Sequence, residues 1–446
     1  MIPIVEYPNV VNASLPFFED VFTRPQMKNF ARYLTGLMIS PNHTISYMNS
    51  LFYAHNDQSA LNNFITDATW SDEELDDARY RYILDRLSRS KDAADGEGIL
   101  DVDDTLSHKS GESIEFAGSF FDHSENKYTL AHDILTTHLV KGRLSIPLDY
   151  EVYLKRSQLS EGYLKSVSRL RSDAAREEYA KETLLDESFK DKNQMVRELI
   201  SKASSKGVPF SCVVGDSWFF NHDNAEHIQS LKKDWVFESK SNRLVMMPSG
   251  YVHLSDWAKT IPKERFIPVK ARYERKERTF WCCSKNVTMK KQGRVRVLVS
   301  YDNPEFSGEP VFLCTNRLDW NEFKIVKVYA KRWRIDAFYR DAKQNLGLEE
   351  YEMRKIGGVR RHIAMVFIAH TLLELGSGAS KPGIEAAKAG TCLDTIGSRC
   401  RIAYTEVLVS FIGLVLSIGE RVKDAKKIAA MALSSKVRLG TEFAKV

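Results

Sequence analysis

Ile99-Leu100-Asp101-Val102-Asp103-Asp104 is an apolar run that follows Gly96 and Gly98 and ends in carboxylates. It reads as a short strand, and alternation puts Asp103 and Asp104 on opposite faces of it. Two further β-like stretches, Ser113 to Phe121 and Tyr128 to Val140, flank the turn-rich Asp122-His123-Ser124-Glu125-Asn126, so three antiparallel strands in a row are the simplest reading. Residues 155–206 are charged, free of proline and helically spaced. Val208 to Gly215 then gives a buried strand closing on Asp216, Asn224 to Lys233 a helix, and Trp235 to Lys240 the next strand. Lys259 to Ser300 is β-prone and basic, and Val311 to Cys314 continues in strand register. From Asn321 the pattern is helical to the C-terminus, with breaks near Gly357 and Gly376 to Gly383. Upstream, Phe17 to Arg89 is helical, with a capping box at Ser71-Asp72-Glu73-Glu74.

Composition narrows the class. Apolar residues make up 43% of the 446 and charged residues 28%, which sets aside disordered, collagen and coiled-coil chains. Apolar runs such as Val407 to Ile418 fall short of the ~18 to 20 residues that cross a bilayer. The opening MIPIVEYPNV lacks the marks of an export signal, so a cytoplasmic protein is expected. The six cysteines, at 212, 282, 283, 314, 392 and 400, form no CxxC pair, which argues against structural zinc and a disulfide framework. Charge is unevenly spread: residues 1–104 hold 8 basic and 17 acidic side chains, whereas Lys259 to Arg296 holds 13 Lys/Arg against 3 Glu. The later part of the chain is the part suited to a polyanion, and Tyr273, Phe280 and Trp281 interleave aromatic faces with its cations.

The stretch Tyr329-Ala330-Lys331-Arg332-Trp333-Arg334-Ile335-Asp336-Ala337-Phe338-Tyr339-Arg340-Asp341-Ala342-Lys343 carries the chemistry. Wound as one helix, it puts Tyr329, Arg332, Asp336 and Lys343 on a single stripe about 60° wide. Ile335, Phe338, Tyr339, Ala342 and Leu346 form an apolar face beside it, and Gly347 is placed to stop the helix. Taken alone, Arg332 and Asp336 at i and i+4 are an ordinary surface ion pair. The run nevertheless resembles the signature Y-x2-R-x3-E-x6-K of the insertion-sequence transposases with a DDE catalytic triad. Tyr329, Arg332 and Lys343 match at every spacing, and Asp336 stands where that family usually has Glu. Asp103-Asp104-Thr105-Leu106-Ser107-His108-Lys109-Ser110-Gly111 is similar to the D-D-T-x3-K-x-G that follows the family's first core strand. Val213-Val214-Gly215-Asp216-Ser217-Trp218 resembles its second-aspartate strand, and Phe237-Glu238-Ser239-Lys240-Ser241-Asn242 the strand after that.

The resemblance implies a mixed α/β fold: an RNase H-like, retroviral-integrase-like core with a β-rich insertion and helical flanks. The corresponding division is a helical N-terminal domain over 1–92, core over 93–245, basic β-rich insertion over 246–305, core with the signature helix over 306–380, and a helical C-terminal region over 381–446. Carried over by position, Asp104, Asp216 and Asp336 would be the catalytic, metal-binding triad, with Asp103 the alternative for the first place. Asp101 would only cap or solvate the strand. Tyr329, Arg332 and Lys343 would contact DNA phosphates, and Trp218 or Trp281 could stack a displaced base. Two Mg2+ ions, replaceable by Mn2+, would support cleavage at transposon ends and strand transfer into target DNA. The partners implied are terminal inverted repeats and target DNA, met by a homodimer in a prokaryotic nucleoid. Asp in place of Glu at 336 shortens that side chain by one methylene, roughly 1.5 Å, and reacting sites tolerate little misplacement. Two other readings therefore stay open, a catalytically inactive DNA-binding descendant and a nuclease that cuts without joining.

Overall fold

The structure, a computed structural model, describes residues 2–54, 57–93, 97–111, 114–155, 190–273, 276–376 and 395–421. Helices α1 (Asn9–Asn12), α2 (Arg24–Ile39), α3 (Ile45–Ser50), α4 (Gln58–Thr66) and α5 (Asp72–Arg89) open the chain. Ser71 caps α5: its Oγ accepts the Glu74 N–H at 3.2 Å, one of the two bonds that the expected capping box would make. Acidic Asp72, Glu73 and Glu74 fill its first turn and Arg86 and Arg89 its last, matching the helix dipole. These helices do not stand apart. Phe30, Tyr33, Leu34 and Leu37 share one core with Ile335, Phe338 and Ala342 of the signature segment.

Strands β1 (Ile99–His108), β2 (Gly118–Asp122), β3 (Lys127–Lys141) and β4 (Leu144–Tyr153) follow. After them come α6 (Lys192–Ser205), β5 (Cys212–Gly215), α7 (His222–Ser230), β6 (Asp234–Ser239), β7 (Leu244–Met247), β8 (Gly250–His253) and α8 (Leu254–Lys259). The basic region supplies β9 (Ile267–Tyr273), β10 (Lys276–Met289) and β11 (Gly293–Tyr301), and β12 (Val311–Thr315) closes the strands. Among the described residues all belong to one 12-stranded sheet, in the order β2-β3-β1-β5-β6-β12-β11-β10-β7-β8, with β4 on β3 and β9 on β10. At its centre β1, β5 and β6 run parallel, and their neighbours β3 and β12 pair antiparallel.

The two faces of the central strands enter different cores. Leu100, Val102, Val213, Trp235 and Phe237 pack with Val196, Leu199 and Ile228 of α6 and α7. Ile99, Cys212, Val214 and Val236 pack with Ile325 and Val328 of α9 (Glu322–Tyr329). Beyond α9 lie a 3-10 turn over Ala330–Arg332, then α10 (Trp333–Asn345), α11 (Ile356–Gly376) and α12 (Ile396–Arg421). A mixed sheet with helices on both faces is the RNase H-like arrangement that the order of elements implied.

Several expectations are corrected. The strand expected from Val208 begins at Cys212, and β4 adds a strand to those expected; the break placed near Gly357 lies just before it, over 346–355 between α10 and α11. The expected helix over 155–206 is described only from Lys192, and residues 156–189, 377–394 and 422–446 lie outside the described residues. Around Val407 to Ile418 the helix is longer than the apolar run: Ile396–Ile418, 23 residues, is long and apolar enough to cross a membrane by length and composition. Its first half is spent inside the protein, where Ile396, Ile402, Ala403 and Val407 are buried.

Candidate active site

The register of the three parallel strands sets the floor of the site. Val102 pairs with Gly215, and Gly215 with Phe237. One residue further on, Asp103 at the middle of β1 stands in line with Asp216 and Glu238 at the carboxyl ends of β5 and β6. Alternation from Ile99, Val214 and Val236 turns all three toward the α9 face. Open α/β sheets bind ligands at such carboxyl ends. Asp104, one position along, has the parity of Leu100 and Val102 and turns to the α6 face, where Lys192 meets its Oδ2 at 2.7 Å.

The roof comes from the segment after α9. The helical path is not continuous: α9 ends at Tyr329, residues 330–332 form a 3-10 turn, and α10 starts at Trp333. At three residues per turn, that insert brings Arg332 almost above Tyr329, narrowing the stripe to roughly 40°. Arg332 Nη1 donates to Asp103 Oδ2 at 2.8 Å, while Nη2 lies 3.6 Å from Asp336 Oδ2. One guanidinium thus bridges a strand carboxylate and a helix carboxylate. The other Asp103 oxygen accepts the Asp104 N–H at 2.9 Å. Tyr329 OH donates to Glu238 Oε2 at 3.1 Å. Trp218 and Phe219 N–H groups donate to Asp216 Oδ1 at 2.9 and 3.4 Å, and the Trp218 ring beside them is 47% exposed.

Two contacts pin α10 onto β1. Tyr339 OH donates to the Asp103 carbonyl at 3.0 Å, and Lys343 Nζ donates to the Leu106 carbonyl at 2.7 Å. Lys343 also pairs with Glu349 at 2.7 Å. Its ammonium therefore fixes the helix to the strand that carries Asp103. Gly347 ends the helix at φ +69°, with His43 so close that a Cβ there would lie 2.5 Å from its Cγ.

Crowding of carboxylates shows in their protonation. Burial pushes Asp103 well above the usual carboxylate range; Arg332 opposes this, and Asp104, Asp336 and Asp216 add to it. Asp216 is raised by burial and by Asp104, against the Trp218 N–H and Arg332. Arg332 gains proton affinity: burial works against its charge, but Tyr329, Asp103, Asp101 and Asp336 outweigh it. On the opposite face Asp133 is pushed up to about 7, by burial first and then by Asp104, although Lys192 pairs with it at 2.5 Å.

Arg332 thus joins Asp103 to Asp336 and Tyr329 meets Glu238, with Asp216 next in line to Asp103, whereas the Asp104 carboxylate pairs with Lys192 on the α6 face and still lies close enough to raise Asp216. Two acidic groups escaped the sequence reading. Asp101, expected to cap or solvate the strand, is fully buried, with neither carboxyl oxygen hydrogen-bonded. Glu238 lies within the strand motif over 237–242, to which the resemblance assigns no role; the signal for it is its place one residue after Phe237, in step with Asp216. Clustered carboxylates with raised proton affinity, hard oxygen donors and one guanidinium among them fit a divalent cation such as Mg2+. A second acidic group lies at the far end of β1, where ligand atoms of His108, Asp122 and Glu125 fall within 4.8 Å of one another.

Comparison with known families adds two matches. Residues 16–260 match the model described as DDE superfamily endonuclease, and residues 181–372 match the one described as transposase DDE domain. No curated protein matches the chain.

Proposed function

Because the chain belongs to the DDE superfamily of transposases and endonucleases, whose chemistry is nuclease-type, metal-dependent and directed at DNA, we propose that it is a DNA transposase. It cuts at the ends of a mobile element and joins them to target DNA, acting as a dimer on two ends. Asp103, Asp216 and Asp336 hold the divalent ions, Mg2+ in the cell. Asp104, the position that the family motif favours, is second choice for the first carboxylate. The observation that carries this reading is the Arg332 bridge from Asp103 to Asp336, set beside Asp216 on the neighbouring strand.

Bound there, divalent ions would lower the pKa of the attacking water or 3′-hydroxyl and steady the leaving oxygen. The chain's own groups do the rest. Asp103 and Asp216 are fixed by the sheet, and Asp336, the most open of the set with its side chain 38% exposed, faces the entry of the backbone. Arg332 offers paired donors to a phosphate beside the scissile bond. The exposed Trp218 ring next to Asp216 gives a displaced base a surface to stack on. Lys343 keeps α10 against β1 and so sets the distance from Asp336 to the strand carboxylates.

A supercoiled plasmid bearing the element's own ends tests this with Mg2+ present. Cleavage and joined products are expected from the wild type and neither from Asp216→Asn. Cleavage without joining would identify a nuclease. Tight binding without cleavage would identify an inactive descendant, to which the short Asp336 side chain lends some support.

A further inference from the structure

Glu238 has no counterpart in the helix signature, yet it occupies the third place in the row formed by Asp103 and Asp216. We infer that Glu238 is a fourth carboxylate ligand of the divalent-metal site and makes up for the shortened side chain of Asp336. This rests on the reading of the site given above.

Reach is the first support. The signature's Glu is replaced by Asp on the helix, a loss of one methylene, roughly 1.5 Å. On the sheet the opposite holds, since Glu238 follows two aspartates in register and carries the extra methylene. The long carboxylate here stands on the sheet side of the pocket. Charge is the second support. Asp101, Asp103, Asp216, Glu238 and Asp336 collect on the face where Arg332 supplies one positive charge, and both Asp101 oxygens are buried with no hydrogen-bond partner. A hard cation taking about six oxygens suits that excess, and a single guanidinium does not offset it. Orientation is the third. The Tyr329 hydroxyl holds Glu238 by Oε2, as outer hydrogen bonds commonly aim a metal-binding carboxylate. The signature tyrosine thereby acquires a task inside the protein, as a positioning residue.

Mn2+ binding to the full-length, DNA-free protein, followed by electron paramagnetic resonance, tests the assignment apart from activity. Glu238→Gln keeps an acceptor for Tyr329 and removes the charge. It should weaken Mn2+ binding by about tenfold or more, the scale on which even outer-shell losses act, with the thermal melt unchanged. Adding Asp336→Glu to that variant should recover the affinity, because the helix then supplies the missing length. Wild-type binding by Glu238→Gln would overturn the assignment, and a double variant that stays weak would overturn the compensation for Asp336. Asp216→Asn separates the levels. If it loses Mn2+ while Glu238→Gln does not, the Glu238 assignment alone falls; if it also binds as the wild type does, the whole site falls.

Discussion

Asp103 and Asp104 are neighbours in the chain but sit in different surroundings. Asp103 meets Arg332 at 2.8 Å on the face that carries the signature helix, and Asp104 meets Lys192 at 2.7 Å on the other. Replacing Asp103 by Asn should cut the rate of plasmid cleavage by at least about a hundredfold, since a direct ligand matters at least as much as the groups behind it. Asp104→Asn should leave cleavage within about tenfold of wild type, its partner Lys192 still having Asp133 at 2.5 Å. Rates in the reverse order would give the first carboxylate's place to Asp104. Sequence alternation separates the two residues, but it cannot say which face the helix covers. That depends on β5 and β6, which bring their own carboxylates to the α9 side, and on Lys192, 88 residues from Asp104. Glu238 was hidden for the same reason: an acidic residue near a strand end is common until register sets it beside another.

At the scale of elements, the signature segment was the most legible part of the chain. Its apolar face, Ile335, Phe338, Tyr339, Ala342 and Leu346, is buried as its spacing predicts. The 3-10 turn before Trp333 was not visible, because nothing in Ala330-Lys331-Arg332 distinguishes three residues per turn from 3.6. The strand β4 was missed because Pro147 interrupts it. Proline cannot donate to a ladder and is tolerated on an edge strand, and among the described residues β4 pairs with β3 alone, where Pro147 lies opposite His138 beside a register shift. The basic region reads as an insertion by composition, yet its strands extend the central sheet through β12. Termination at Gly347 gives a test at this scale. Gly347→Ala would need a left-handed backbone with a side chain and a Cβ 2.5 Å from His43. It should cost at least about 1 kcal/mol of stability in urea denaturation. An unchanged midpoint would show that the helix end is not held as described.

Across the whole molecule, one apolar cluster joins the N-terminal helices, α10, α11 and α12, so the roof of the site is supported by segments far apart in sequence. Buried histidines run through this region. Tyr33 OH lies 2.7 Å from His362 Nδ1, and His362 Nε2 lies 2.9 Å from the Gly347 carbonyl, so Nε2 carries a proton, and with the ring neutral Tyr33 donates to Nδ1. His132 is held in the same way between the Glu115 carbonyl and the Tyr351 hydroxyl. Burial lowers His132 to about 4 and His362 and His370 to about 3. In the unfolded chain each would take a proton near pH 6.5, so the folded state is favoured fully above that value and loses ground as pH falls from 6.5 toward 4. The loss should approach 2 kcal/mol per histidine by about pH 5. Melting temperatures measured from pH 7.5 to 5 should fall steeply below 6.5, and a flat profile would mean that these rings are charged in the fold.

Crystals of the full chain soaked in Mn2+ and measured at an anomalous wavelength would locate the metal without reference to activity. Manganese density between Asp103, Asp216 and Asp336, beside Arg332, is the result expected. Density confined to His108, Asp122 and Glu125, or none beside Asp103 and Asp216, would contradict the assignment of this pocket as the place where DNA is cut.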